Sequence, residues 1–219
     1  MLEKEQIQAN KERFINLLKT INRQGADIEG LINKLENSDF FVAPASTQYH
    51  CSYIGGLCEH SLNVYDQLMK LKDAEYPKMV PDTYGEMMDA RNECPFSDET
   101  LTIVALLHDI SKMNFYEISE RNTKDENGNW IKVPFIKTRE SKDRFLYGSH
   151  GVNSEYMAGR FIPLTLAESV AIINHMGGKE VGSNGFDGGL SEIFNRYTLL
   201  TLLHTADMLA TFLVEKMDK

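Results

Sequence analysis

The sequence predicts an all-α protein, with a core of about five helices opened by an N-terminal helical pair and interrupted by a single inserted β-hairpin. Three observations predict it. Apolar residues recur at helical spacing through most of the chain, helix-capping residues stand ahead of several of those runs, and the pattern turns to β-formers in one stretch only. At 219 residues with 42% apolar content, the chain is long enough for one sizeable core with extensions and short for two independent folds.

The first helix is read in Leu2 to Thr20, where Ile7, Phe14, Leu17 and Leu18 recur, and the second in Ile28, Leu31, Ile32 and Leu35 after Gly25. Phe41 to Gly56, with Pro44, Gly55 and Gly56, reads as an irregular lead into a helix carrying Leu57, Leu62, Val64, Leu68 and Leu71. Ser97 is the expected N-cap of a helix through Leu101, Val104, Ala105, Leu107 and His108. Thr165 and Glu168 form an expected capping box for a helix that ends near His175, and Ser191 to Glu215 reads as one long apolar-faced helix. Between them, Phe115 to Ser119 and Trp130 to Ile136 flank the polar run Asp125 to Asn129, the signature of a hairpin. Gly177 to Gly189 is glycine-rich and reads as a mobile loop.

Charge and cysteine content limit the function. A net charge of −9 argues against duplex nucleic acid or an anionic membrane as a general partner. The insertion is locally the least acidic part of the chain. The longest apolar run, near Leu101 to Leu107, is far too short to cross a bilayer, and Met1 to Phe14 has no signal-type apolar segment. Cys51, Cys58 and Cys94, without a CxxC pair, imply reduced thiols and a cytoplasmic location.

The chemistry lies in the histidines and aspartates. His60 stands near the start of one predicted helix, His108 and Asp109 at the end of the next, His150 at a helix start, His175 at a helix end and Asp207 inside the last helix. Five elements thus each offer a metal-ligating side chain, several beside glycines that permit close approach. His204 reads as packing or as support behind the ligating residues and His50 as a loop residue, while Arg121, Arg139 and Arg144 read as solvated or substrate-contacting.

The runs His50 to His60, Leu106-Leu-His-Asp-Ile-Ser-Lys112, Gly148-Ser-His150-Gly, Ile172-Ile-Asn-His175 and Leu203-His-Thr-Ala-Asp207 resemble the HD superfamily of metal-dependent phosphohydrolases. The order H…HD…H…H…D looks most similar to the subgroup that holds HD-domain 3′-to-5′ exoribonucleases and phage-type HD hydrolases. Cys51 stands where relatives often carry a second histidine, and the hairpin is longer than in the exoribonucleases. The resemblance implies an HD domain over residues 48–219 with an insertion at about 114–147, and a helical extension, 1–47, packed on it.

It also implies two divalent ions of the Mn, Fe, Co or Ni kind, with Mg or Zn as further options. His60, His108, Asp109 and Asp207 are expected around one ion and His150 and His175 at a second, with Asp109 bridging by resemblance. Two ions and two carboxylates leave about +2 to be met by hydroxide and phosphate. Lys112, about one turn beyond Asp109, is the expected phosphate-contacting cation, so Asp109 and Lys112 are the candidate catalytic residues. The implied activity is hydrolysis of a phosphomonoester or phosphodiester, in a nucleotide or short oligonucleotide, by a metal-activated hydroxide. The expected partner is that small phosphorylated substrate, without duplex nucleic acid or membrane. The glycine-rich loop and the hairpin are expected to act as lid and wall over the substrate. A di-iron oxygenase on the same ligand set and a non-catalytic metal-binding scaffold stand as alternatives.

Overall fold

The structure, a computed structural model, describes residues 2–76, 79–81, 87–89, 93–140, 148–177 and 189–215. The expected glycine-rich loop therefore lies outside the described residues except at Gly177 and Gly189, as does Arg144. Among the described residues the helices are α1 (Lys4–Leu18), α2 (Ile28–Glu36), α3 (Gly56–Glu75), α4 (Asp98–Leu107), α5 (His150–Gly159), α6 (Leu166–Asn174), α7 (Gly189–Arg196) and α8 (Thr198–Leu209). A single tight turn, Ile110–Lys112, follows α4, and a wide helical turn, Ala210–Val214, follows α8.

The helix starts follow the capping residues. Ser97 accepts the backbone N–H of Thr100 at 3.1 Å, and Thr165 and Glu168 form the reciprocal capping box at the head of α6. The apolar run Leu101 to Leu107 is α4, and every residue in it is buried. Ile103, Leu106 and Leu107 of this helix pack into a cluster with Phe14, Leu18, Leu31, Leu35 and Phe40 from the N-terminal segment. Leu101, Val104 and Ala105 pack into a second cluster with Val64, Leu68, Ile172, Leu199 and Leu203. Helix α4 is therefore the central rod, and whatever follows its C-terminus is placed in the middle of the molecule.

The expected hairpin is present as β1 (Tyr116–Lys124) and β2 (Trp130–Thr138), antiparallel, with Tyr116 opposite Thr138 and Lys124 opposite Trp130. Asp125 tightens its turn by accepting the backbone N–H groups of Asn127 and Asn129. At its base Arg139 donates to the Tyr116 carbonyl at 2.9 Å and to Asp39 at 3.2 Å, so this arginine anchors the hairpin to the core.

Two features depart from the expectation. The segment Ser191 to Glu215 is not one helix: the backbone leaves helical geometry at Tyr197 (φ −124°, ψ 84°) between α7 and α8. The apolar spacing runs through the break because Ile193, Leu199 and Leu200 all enter the same cluster. A second small hairpin, Met79–Pro81 paired with Met87–Asp89, adds strands that the sequence reading lacked, since three residues are too few to set a period of two. None of the helices among the described residues is long and apolar enough to cross a membrane.

Candidate metal centre

His108 caps α4 and Asp109 follows it, so both emerge at the centre of the fold with 0% and 2% exposure. His60 lies in the first turn and a half of α3, His150 opens α5, His175 closes α6, and Asp207 sits in α8. The five elements converge on Asp109. Its Oδ2 lies 3.6 Å from His60 Nε2 and 3.5 Å from His108 Nε2, and its Oδ1 lies 3.5 Å from His150 Nε2 and 3.6 Å from His175 Nε2. His60 Nε2 is also 3.4 Å from Asp207 Oδ1. All six residues expected to hold metal thus come together, and the ligand atoms of His60, His108 and Asp207 lie within 4.8 Å of one another, as do those of His108, Asp109 and His175.

Two close approaches make this possible. A Cβ on Gly151 would stand 2.2 Å from the Ile173 carbonyl oxygen, so glycine lets the start of α5 cross the end of α6 and brings His150 to His175. A Cβ on Gly56 would stand 2.0 Å from the Cys51 carbonyl oxygen, which fixes how the preceding loop enters α3 just ahead of His60. The turn after Asp109 is tied to α5 by Ser111, which donates through Oγ to the His150 carbonyl at 2.9 Å.

Hydrogen bonds settle the ring orientations. His108 Nδ1 lies 2.8 Å from the Ala105 carbonyl and His175 Nδ1 lies 2.7 Å from the Ile172 carbonyl. A carbonyl only accepts, so both Nδ1 atoms carry protons and both Nε2 atoms face the cluster. There the nitrogens meet in pairs, His108 with His60 at 3.3 Å and His150 with His175 at 3.1 Å. Asp109 Oδ1 is buried and has no hydrogen-bond partner among the described residues. Opposed imidazole nitrogens around an unsatisfied carboxylate oxygen form a donor set suited to a divalent cation of borderline hardness.

The electrostatics follow from the same contacts. Burial opposes ionisation of Asp109, but Lys112 and His108 outweigh it and hold the carboxyl well below the usual range. Lys112 Nζ stands 2.6 Å from Asp109 Oδ2. Burial lowers the His60 imidazole, yet Asp207 and Glu215 raise it to about 10. Burial and the neighbouring His175 push His150 down to about 3. The cluster opens into a cavity of about 870 Å³ whose lining includes Lys112, Tyr49, Phe115, Tyr116, Met176 and Phe212. The hairpin reaches this cavity at its base; further out, Arg121 and Phe135 line a separate cleft with Thr47, Ser52, Tyr53 and Ile54.

The HD domain matches residues 57–193, more than half of the chain. The chain belongs to the HD-domain family. Comparison with curated proteins and with solved structures gave no match. The HD-domain segment contains His60, His108, Asp109, His150 and His175, and Asp207 reaches them from beyond it. Membership implies a metal-dependent hydrolase, in keeping with the buried His/Asp cluster.

Sequence reasoning missed Glu215, which holds His60, and gave His204 as packing or as support behind the cluster. His204 Nδ1 donates to the carbonyl of His175 at 2.6 Å, so it backs the turn that carries this histidine. Glu215 lies eight residues beyond Asp207 on a segment already read as helical, but off the Asp207 face of a regular helix, so helical periodicity does not flag it.

Proposed function

We propose that this HD-domain protein is a phosphohydrolase that cleaves a phosphomonoester or phosphodiester of a nucleotide or short oligonucleotide. The observation that carries the reading is the division of the Asp109 carboxylate, one oxygen toward His60 and His108 and the other toward His150 and His175. On this reading His60, His108 and Asp207 would hold one divalent ion and His150 and His175 a second, with Asp109 offering a carboxylate oxygen toward each group of imidazoles. Ions bound there acidify water and polarise a phosphoryl oxygen.

The remaining steps belong to the side chains. The Nδ1–H groups of His108 and His175 stay hydrogen-bonded to the Ala105 and Ile172 carbonyls, which keeps both rings facing the cluster through the reaction. Lys112, at the cavity wall beside Asp109, holds a phosphate oxygen and balances the charge that builds on the leaving oxygen. Tyr49 and Phe212 line the cavity while remaining 74% and 60% exposed, which leaves aromatic faces for a nucleobase.

The test is phosphate release from phosphomonoesters, cyclic and linear phosphodiesters and nucleoside triphosphates, with Mn, Fe, Co, Ni and Mg supplied separately. Metal-dependent release is expected. Asp109→Ala should lower it on the order of 10³-fold or more and strip bound metal while the helical circular dichroism persists. Iron-dependent oxygen consumption without phosphate release overturns the reading.

A further inference from the structure

We infer that Glu215 is a positioning residue that fixes the ring of His60 for metal binding, delivered by the wide turn Ala210–Val214. The inference rests on the reading of His60 as a metal ligand. Glu215 is a buried carboxylate whose Oε1 and Oε2 lie 3.0 and 3.1 Å from His60 Nδ1. A carboxylate accepts and does not donate, so Nδ1 carries a proton and Nε2, on the far side of the ring, is the nitrogen turned to His108 and Asp207. Asn63 donates to Oε1 at 3.0 Å, so the carboxylate is itself held, from a residue one turn along α3 from His60.

Position in the fold explains why His60 needs this partner when His108 and His175 do not. Those two close their helices, where the carbonyl three residues back has no intrahelical donor and is open to an imidazole N–H. His60 lies inside α3, where carbonyls are committed to the helix ladder, and its acceptor must come from another element. Glu215 supplies it from 155 residues away.

The wide turn is what brings it there. Continued as a regular α-helix, a residue eight beyond Asp207 points roughly 80° away from it. In this chain the Glu215 N–H bonds the Ala210 carbonyl at 2.9 Å, five residues back, and the widened turn removes much of that offset. The same turn directs Thr211 Oγ1 to Asp207 Oδ1 at 3.3 Å, so one short segment orients two members of the cluster.

The experiment is a Co²⁺ titration of the full chain, read by visible absorbance for affinity and stoichiometry, with thermal unfolding alongside. Glu215→Ala should bind Co²⁺ about 10- to 100-fold more weakly with unchanged stoichiometry and helical content. Glu215→Gln keeps an acceptor oxygen and should stay within a few-fold of the wild type. Asn63→Ala, which frees the carboxylate from its anchor, should give an intermediate loss and serves if Glu215→Ala does not fold. Wild-type affinity in Glu215→Ala, or in Asn63→Ala where Glu215→Ala does not fold, overturns the assignment. An equal loss in the alanine and glutamine variants also overturns it, since charge and not ring orientation would then be the cause. Loss of one metal equivalent in Glu215→Ala overturns it in favour of direct ligation with His50, whose ligand atom lies within 4.8 Å of those of His60 and Glu215. A wild type that binds no Co²⁺ defeats the metal reading of the whole site, a result distinct from these.

Discussion

Glu168 and Asp109 are both buried carboxylates, and their surroundings differ in one respect. Glu168 is saturated: Arg23 donates to its two oxygens at 2.6 and 2.8 Å, and the Thr165 N–H donates at 2.8 Å. Asp109 has Lys112 on one oxygen and no hydrogen bond on the other, inside a ring of four imidazoles. A buried charge that serves the fold is surrounded by its own chain's donors. One that serves chemistry keeps capacity in reserve for something the chain does not contain.

The comparison is broken most sharply at Glu168. Removing one partner of a buried ion pair costs about 3 to 5 kcal/mol, so Glu168→Gln should lower unfolding stability by that order in denaturant titrations. Metal content and turnover of the folded fraction should not change, the converse of Asp109→Ala. The cost carries a pH signature. Burial alone would raise the Glu168 carboxyl, but Arg23 and the Thr165 N–H lower it below its ordinary value. A carboxylate lowered in the folded state stabilises above its unfolded pKa, near 4.3, and that stabilisation is lost as pH falls through the folded value. The difference between wild type and Glu168→Gln should therefore be flat above about pH 5 and shrink below about pH 4.

Lys112→Ala tests the middle of the range. It should lower kcat/KM about 10- to 100-fold without removing metal, because Asp109 keeps its place and loses only its cation. Unchanged kinetics would return Lys112 to a purely structural partner of Asp109. The smallest effect is expected in the hairpin, where Lys132 meets Glu120 at 3.3 Å with side chains 70% and 65% exposed. Lys132→Ala should leave Tm and turnover at wild-type values; a measurable loss of either would mean the hairpin does more than wall the cavity.

These contrasts also mark what could be read from the chain in advance. The helices around the centre were legible because capping at Ser97 and Thr165 and the apolar run of α4 are local signals. The clustering of His60, His108, Asp109, His150, His175 and Asp207 was legible because each falls at a helix start, a helix end or on a helix face turned to the centre, in the order of the HD-domain pattern. Glu168 was read as a cap, which it is, while its partner Arg23 lies 145 residues away and left no local trace. Tyr197 breaks a helix without disturbing the apolar period, and the wide turn that delivers Glu215 has no signature in residue type. What depends on one segment was visible, and what depends on two meeting was not.

The distance between His60 and Glu215 along the chain bears on how the protein matures. Synthesis exposes His60 long before Asp207, Thr211 and Glu215 exist, so a nascent chain offers isolated imidazoles and no complete coordination sphere. Loops of this span close slowly. Any cation bound at the cluster would thus load after folding rather than guide it, and a chain halted between α6 and α8 would hold His60, His108, His150 and His175 without Asp207 and Glu215.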